Sequence, residues 1–231
     1  MSAFTEIKLN YNQYEFYFPR KRILDFIEQN LYCLKGNLLD VGCGKKPYKT
    51  VILQNKNITH YTGLDIENSL DYGGEKPEIL WQNNKIPSDS DTFQSGIATE
   101  VFEHINNIQE VLAEINRVMA PGSNFLITIP FIWPLHETPH DHYRYTPFAM
   151  QTLLKDAGFK IIKIQPMGGW HASIGLMISL WTKRAFKRKL SKLLLFLLTF
   201  PLVWLLFKLD KKPINFTEST MITGLGIIVQ K

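Results

Sequence analysis

Apolar and polar positions alternate along the chain in two rhythms. In "YFPRKRILDFIEQNLY", Ile23, Phe26, Ile27 and Leu31 recur at helical spacing and Pro19 stands where a helix can start, so the pattern predicts an N-terminal helix. "NLLDVGCG" is a short apolar run closed by glycines, which reads as a buried strand ending in a turn. A helical stretch around "PYKTVILQ" follows. Strands are then predicted over "HYTGLDI", "EILWQ" and "FQSGIAT", a helix over "NIQEVLAEINRVM" and a fifth strand over "NFLITIP". Strands alternating with helices imply an α/β fold with a doubly wound, Rossmann-like parallel sheet covered on both faces. Ligands of such sheets bind at the carboxyl ends of the strands, near the topological switch point. Thr146 and Pro147 suit the N-cap and first turn of another helix, "PFAMQTLLKDAGF"; "GFKIIKIQPM" reads as a sixth strand and "STMITGLGIIVQK" as a last one.

The rhythm changes between those last two strands, and residues 170–212 read as a helical insertion in a single domain of residues 1–231. Trp170, Ile174, Met177, Ile178, Trp181 and Ala185 fall at helical intervals, with Lys183, Arg184, Lys187 and Arg188 toward the other side, the pattern of a basic amphipathic helix. The run 193–207 is apolar except for Thr199 and contains Pro201. Fifteen helical residues rise about 22 Å against a hydrocarbon core of roughly 30 Å, which argues against a simple span. Three covers suit such a helix: the core, a homodimer contact, or the anionic cytoplasmic face of a membrane, entered in plane or as a shallow bend at Pro201.

Charge favours the membrane. The chain carries +5 in all, but from Ala157 to Leu209 it has no acid and nine cations, which leaves about −4 on the rest. Such a segment suits anionic lipid or nucleic acid. Cys33 and Cys43 have no CxxC or Cys/His spacing around them, so reduced thiols in the cytoplasm are expected rather than a disulfide frame or zinc knuckle. The start, "MSAFTEIKLNYNQYEF", lacks the basic and apolar regions of a signal peptide.

Candidate chemistry begins at Asp40-Val41-Gly42-Cys43-Gly44. Glycines there let the backbone turn sharply and approach a ligand. The third glycine of a dinucleotide fingerprint is replaced by Pro47, which counts against a dehydrogenase. Asp65 ends the second strand about twenty residues on, where a carboxylate can accept from both hydroxyls of a ribose. With "LLDVGCG", this acidic tip, "EVFEHI" and "AEINRVMAPGS" in that order over roughly residues 30–165, the sequence resembles the class I S-adenosylmethionine-dependent methyltransferases. The resemblance implies a seven-stranded sheet whose final strand runs antiparallel beside the sixth. It implies S-adenosylmethionine as cofactor, with Asp40, Gly42, Cys43 and Gly44 about its methionine part and Asp65 with Ile66 at the ribose. Gln82 or Asn83 would meet the adenine amine through an amide, where the family usually has an acid, and Thr99 and Glu100 complete the set.

The same family often has a segment of the form H-x-x-P-x-D-x-x-R-[FY]-T after the fifth strand, matched here by His136, Pro139, Asp141, Arg144, Tyr145 and Thr146. No metal is expected, because His136-x3-His140-x-His142 has no recognised structural spacing and Pro139 breaks any helix that would align the rings. Asp141 and Arg144 read as a pair that stiffens the loop while Tyr145 packs. His136 is favoured as general base, and His104 reads either as a second base or as a structural residue at a helix start. His140, Arg144 and Tyr145 are the expected acceptor contacts. The acceptor is expected to be a small molecule, a lipid or a lipid-linked glycan, methylated by in-line displacement at the inner face of the membrane. A non-catalytic membrane module and an RNA methyltransferase are the alternatives. Against nucleic acid, "ATEVFEH" replaces the Asn/Asp-Pro-Pro-aromatic box of amino-methylating DNA enzymes, and no cysteine nucleophile lies beyond Cys43.

Overall fold

The computed structural model of the protein describes residues 4–66, 76–81 and 85–231. Gln82 and Asn83, the expected adenine contacts, lie outside them. Helix α1 (Tyr17–Asn30) leads into β1 (Gly36–Val41), the one-turn α2 (Lys49–Ile52), β2 (Ile58–Ile66), β3 (Ile79–Trp81) and β4 (Phe93–Thr99). A single 3-10 turn, Phe102–His104, precedes α3 (Ile108–Val118), β5 (Met119–Pro130), α4 (Pro147–Asp156) and β6 (Lys160–Pro166). Two long helices, α5 (Trp170–Arg184) and α6 (Lys189–Leu209), then intervene before β7 (Gly224–Gln230).

The strands form one sheet in the order β3-β2-β1-β4-β5-β7-β6. The first five are parallel, as the alternating pattern predicts. β7 lies between β5 and β6 and is antiparallel to both, so it adjoins the fifth strand as well as the sixth. The chain order reverses between β1 and β4, which puts the switch point at the carboxyl ends of those two strands. One core, with Phe93, Phe102, Phe125 and Leu112, lies under α3 and α4 on one face; the other, with Phe26, Ile27, Leu38 and Ile52, lies under α1.

β5 starts at Met119, five residues before the expected Asn124, because Met119 pairs with Phe93 and a register shift before Ser95 absorbs the "APGS" stretch. The other large difference is in the insertion. α6 runs through Pro201 for 21 residues, a rise of about 31 Å, so the proline does not end the helix, which has the length and composition to cross a membrane. α5 buries its small side chains, Ala172, Ser173, Gly175, Ser179 and Thr182, because α6 approaches closely there. A Cβ on Gly175 would stand 2.7 Å from the Phe207 ring. The face that periodicity marks as apolar, with Trp170, Ile174, Met177 and Trp181, is turned outward. On the inner side, the buried Tyr14 hydroxyl hydrogen-bonds Thr199 at 3.0 Å and its ring meets Phe196 edge-on.

Candidate active site

The turn after β1 is shaped by its glycines. Gly42 and Gly44 have φ of +65° and +48°, in the left-handed region where a side chain is strained. A Cβ on Gly42 would stand 2.5 Å from a γ-carbon of Val101, so no larger residue fits without moving the exit of β4. The backbone N–H groups of Gly42 and Cys43 donate to the Leu64 carbonyl, and that of Gly44 donates to Asp65 Oδ2 at 2.8 Å. Asp65 Oδ1 accepts from the Ile66 N–H, also at 2.8 Å. Lys46, buried, reaches Glu78 Oε1 at 2.6 Å, and Glu78 Oε2 accepts from Gly63 N–H. The turn is thus tied to β2 on one side and to the approach of β3 on the other.

Asp40 lies beneath this turn, buried, with the Tyr61 hydroxyl donating to it. Burial pushes its carboxyl up to about 7, and Asp65 adds to the rise. Burial likewise pushes the Cys43 thiol up, so this cysteine is a packing residue and a poor nucleophile.

Above the turn opens a cavity of about 440 Å³, inside the usual range for cofactor sites. Gly42, Cys43, Gly44, Thr99, Glu100, His104 and His136 line it. Asp40, Asp65 and Ile66 do not; Asp65 is at its margin through Gly44, and Asp40 supports the turn from below. Several contributors carried no motif in the sequence. Phe16 and Arg20 come from the α1 region and Trp133 from the loop after β5. Arg20 is held between the rings of Phe4 and Phe16, 4.2 and 4.4 Å from their centroids. Its charge therefore stands in a largely aromatic wall.

The histidine-rich loop is braced as expected. Arg144 grips Asp141 with two hydrogen bonds of 2.6 and 2.8 Å and reaches the Trp133 carbonyl, and this guanidinium holds the Asp141 carboxyl well below the usual carboxylate range. Asp141 Oδ2 in turn meets His136 Nδ1 at 3.1 Å. The three expected acceptor contacts have other places. His140 is exposed and offers its carbonyl to His104 Nδ1 at 3.0 Å, Arg144 is spent on Asp141, and Tyr145 is buried in the core cluster. None of them lines the cavity. Thr146 caps α4 by accepting from the Ala149 N–H at 3.2 Å.

Two acids follow the end of β4. Glu100 has a left-handed backbone, φ +55°, and burial pushes its carboxyl up to about 7. Glu103 is fully buried, and burial, with Glu100 beside it, holds its carboxyl well above the usual range. Glu103 was legible only as part of "EVFEHI"; an acid directly before His104 in an apolar stretch was the signal.

Residues 11–164 match the family described as "Methyltransferase domain", and the chain belongs to that family. It is an S-adenosylmethionine-dependent methyltransferase. It is 24% identical over 165 residues to the "O-methyltransferase rstn1" of Aspergillus nomiae, covering 62% of this chain and 73% of that protein. Its fold is that of the SAM-dependent methyltransferase from Archaeoglobus fulgidus, with a TM-score of 0.57 at 14% identity over 96% of this chain and 99% of that one. It is similar, too, to a Haemonchus contortus phosphoethanolamine N-methyltransferase solved with phosphomonomethylethanolamine and S-adenosylhomocysteine. There the TM-score is 0.55 at 11% identity, over 91% of this chain and 52% of that one. The residues present fit the cofactor. The turn at Gly42 has room for no Cβ, Arg20 offers a cation for a carboxylate, Glu100 offers an acid for an ammonium, and Asp65 still has acceptor capacity at a strand tip.

Proposed function

We propose that the protein transfers a methyl group to a hydroxyl on a lipid or lipid-linked glycan at an anionic membrane surface. S-adenosylmethionine supplies the sulfonium methyl. Gly42, Cys43 and Gly44 would hold its methionine part, Arg20 and Glu100 its charged ends, and Asp65 its ribose. The attack is an in-line displacement, so most of the acceleration comes from holding the acceptor oxygen on line and excluding water. Phe16, Trp133 and Pro130 give the cavity an apolar wall for that purpose. His136, oriented by Asp141, would take the acceptor proton, and the 3.0 Å bond from His104 Nδ1 to a carbonyl makes His104 a fixed neighbour of the same acceptor.

One observation supports the choice of surface. Thirteen large apolar side chains are exposed on α5 and α6, from Trp170 to Leu209, and the cations Lys183 to Lys192 flank them at the turn between the helices. That turn is next to the cavity wall, since the Arg184 guanidinium lies 5.0 Å from the Trp133 ring. The test incubates the full chain with deuteriomethyl-labelled S-adenosylmethionine and membrane lipid and glycolipid extracts. Mass spectrometry should find a labelled methyl ether in the lipid fraction. Label only in water-soluble molecules or RNA, or no label in any fraction, would overturn the reading.

A further inference from the structure

Beside the cavity wall lies an arrangement that cofactor binding leaves unexplained. Glu103 is wholly buried, yet among the described residues neither of its carboxylate oxygens has a hydrogen-bond partner. Buried polar groups are nearly always paired, so an orphaned carboxylate points to an ion or an ordered water against it. Two imidazoles stand there. One ligand atom each from Glu103, His104 and His136 lies within 4.8 Å of the others, and His104 Nε2 is 3.7 Å from Glu103 Oε1.

Each ring is anchored through its other nitrogen. A carbonyl only accepts, so the 3.0 Å contact to the His140 carbonyl puts a proton on His104 Nδ1 and leaves a lone pair on Nε2 of the neutral ring. Asp141 Oδ2, fixed by Arg144, does the same for His136 at 3.1 Å. A carboxylate or carbonyl behind each ligating histidine is the usual support of a metal centre. Glu137 Oε2, 3.8 Å from His104 Nε2, places a further oxygen at the rim.

We propose that Glu103, His104 and His136 bind a divalent transition-metal cation of the zinc type at the wall of the methyl-transfer cavity. Two imidazoles and one carboxylate suit zinc, cobalt or iron(II) better than magnesium or calcium, which favour oxygen-only sets. His104 and His136 both line the cavity, so a remaining coordination position is open to a ligand there. The ligand spacing within 136–142 hid the site, because its other half comes from the exit of β4. The binding site does not depend on the acceptor named above, but its use does. With a hydroxyl acceptor, the bound cation would occupy the free nitrogen of His136 and replace it as the activating group: it would lower the hydroxyl pKa, the proton would leave to solvent, and the oxygen lone pair would form the O–CH3 bond as the S–CH3 bond breaks to a thioether.

The metal-stripped full chain, titrated with Zn²⁺, Co²⁺ or Mg²⁺, tests this. At a hundredfold excess over the dissociation constant, Zn²⁺ should raise the melting temperature by roughly 5–10 °C, and Mg²⁺ should not. Co²⁺ should give visible absorption at one equivalent. Glu103→Gln keeps the shape of the buried side chain, and His136→Asn changes a partly exposed one; both should abolish the Zn²⁺ shift. Absence of the shift in the parent, or its survival in both variants, overturns the proposal. S-adenosylhomocysteine affinity measured on the same samples reports separately on the cofactor site.

Discussion

Replacing Gly42 by alanine tests the cradle directly. Two costs add. Alanine at φ +65° has a left-handed backbone, worth about 1–2 kcal/mol. Its Cβ would lie 2.5 and 2.7 Å from the two γ-carbons of Val101, far inside a comfortable carbon contact of about 3.5–4.0 Å. Relieving such overpacking costs about 1–3 kcal/mol, for a total of roughly 2–5 kcal/mol and a melting temperature lower by about 10 °C. Val101 follows Glu100, which lines the cavity, so pushing Val101 aside should also weaken S-adenosylhomocysteine binding at least about tenfold. Val101→Ala removes both offending carbons. In that background the residue-101 Cβ stays 3.2 Å away, so Gly42→Ala should retain the backbone cost and only a small part of the crowding. Urea unfolding and calorimetric titration of parent, both single variants and the double variant form a complete cycle. Strict additivity, or Gly42→Ala that binds and melts like the parent, would refute the account of the turn.

Asp40→Asn should act in a pH-dependent way. The folded value of about 7 lies above the ordinary 3.8, so the folded protein favours the neutral acid. Stability from this preference is complete below about pH 4 and is lost as pH rises to 7, a total of roughly 4 kcal/mol. The asparagine variant should therefore match the parent at pH 4 and be the more stable at pH 8, as read by urea unfolding. Asp141→Asn has the opposite sign. Its carboxyl is depressed by Arg144, so the variant should be less stable by roughly 3 kcal/mol at pH 7, with the gap closing as pH falls below about 3. Leu197→Glu with Leu198→Glu, at positions 61% and 76% exposed, should abolish flotation with anionic liposomes while leaving the melting temperature within about 2 °C. Unchanged flotation would remove α6 from the membrane contact.

The sheet was readable where apolar runs were bounded by turn residues. β4 occupies the very stretch "FQSGIAT", and the glycines after β1 do mark the cavity. β5 was read short because "APGS" has turn chemistry, whereas pairing with Phe93 holds it in the strand. α5 starts at Trp170 as read, and its Trp-bearing apolar face is exposed; the small side chains it buries instead carried no hydropathy signal, because close approach of α6 selects for size. The candidate site was half legible. Motif spacing located Gly42, Gly44 and His136, but Glu103 joins His136 only through tertiary structure. Arg20 comes from a helix whose periodicity spoke of packing alone.

The insertion leaves and re-enters the sheet at neighbouring points, since the Met167 N–H donates to the Gly224 carbonyl where β6 and β7 meet. Everything from Gly168 to Thr223 is therefore inserted at one place in the sheet, outside the strands that carry the glycine turn, and otherwise packs on the domain through contacts such as Tyr14 with Thr199 and Arg184 with Glu15. An attachment of that kind can be lengthened, shortened or exchanged with little change to strand register. If α5 and α6 meet a membrane as proposed, where the enzyme works and what it does to the methyl group are separable in this architecture, and relatives could inherit the second while replacing the first.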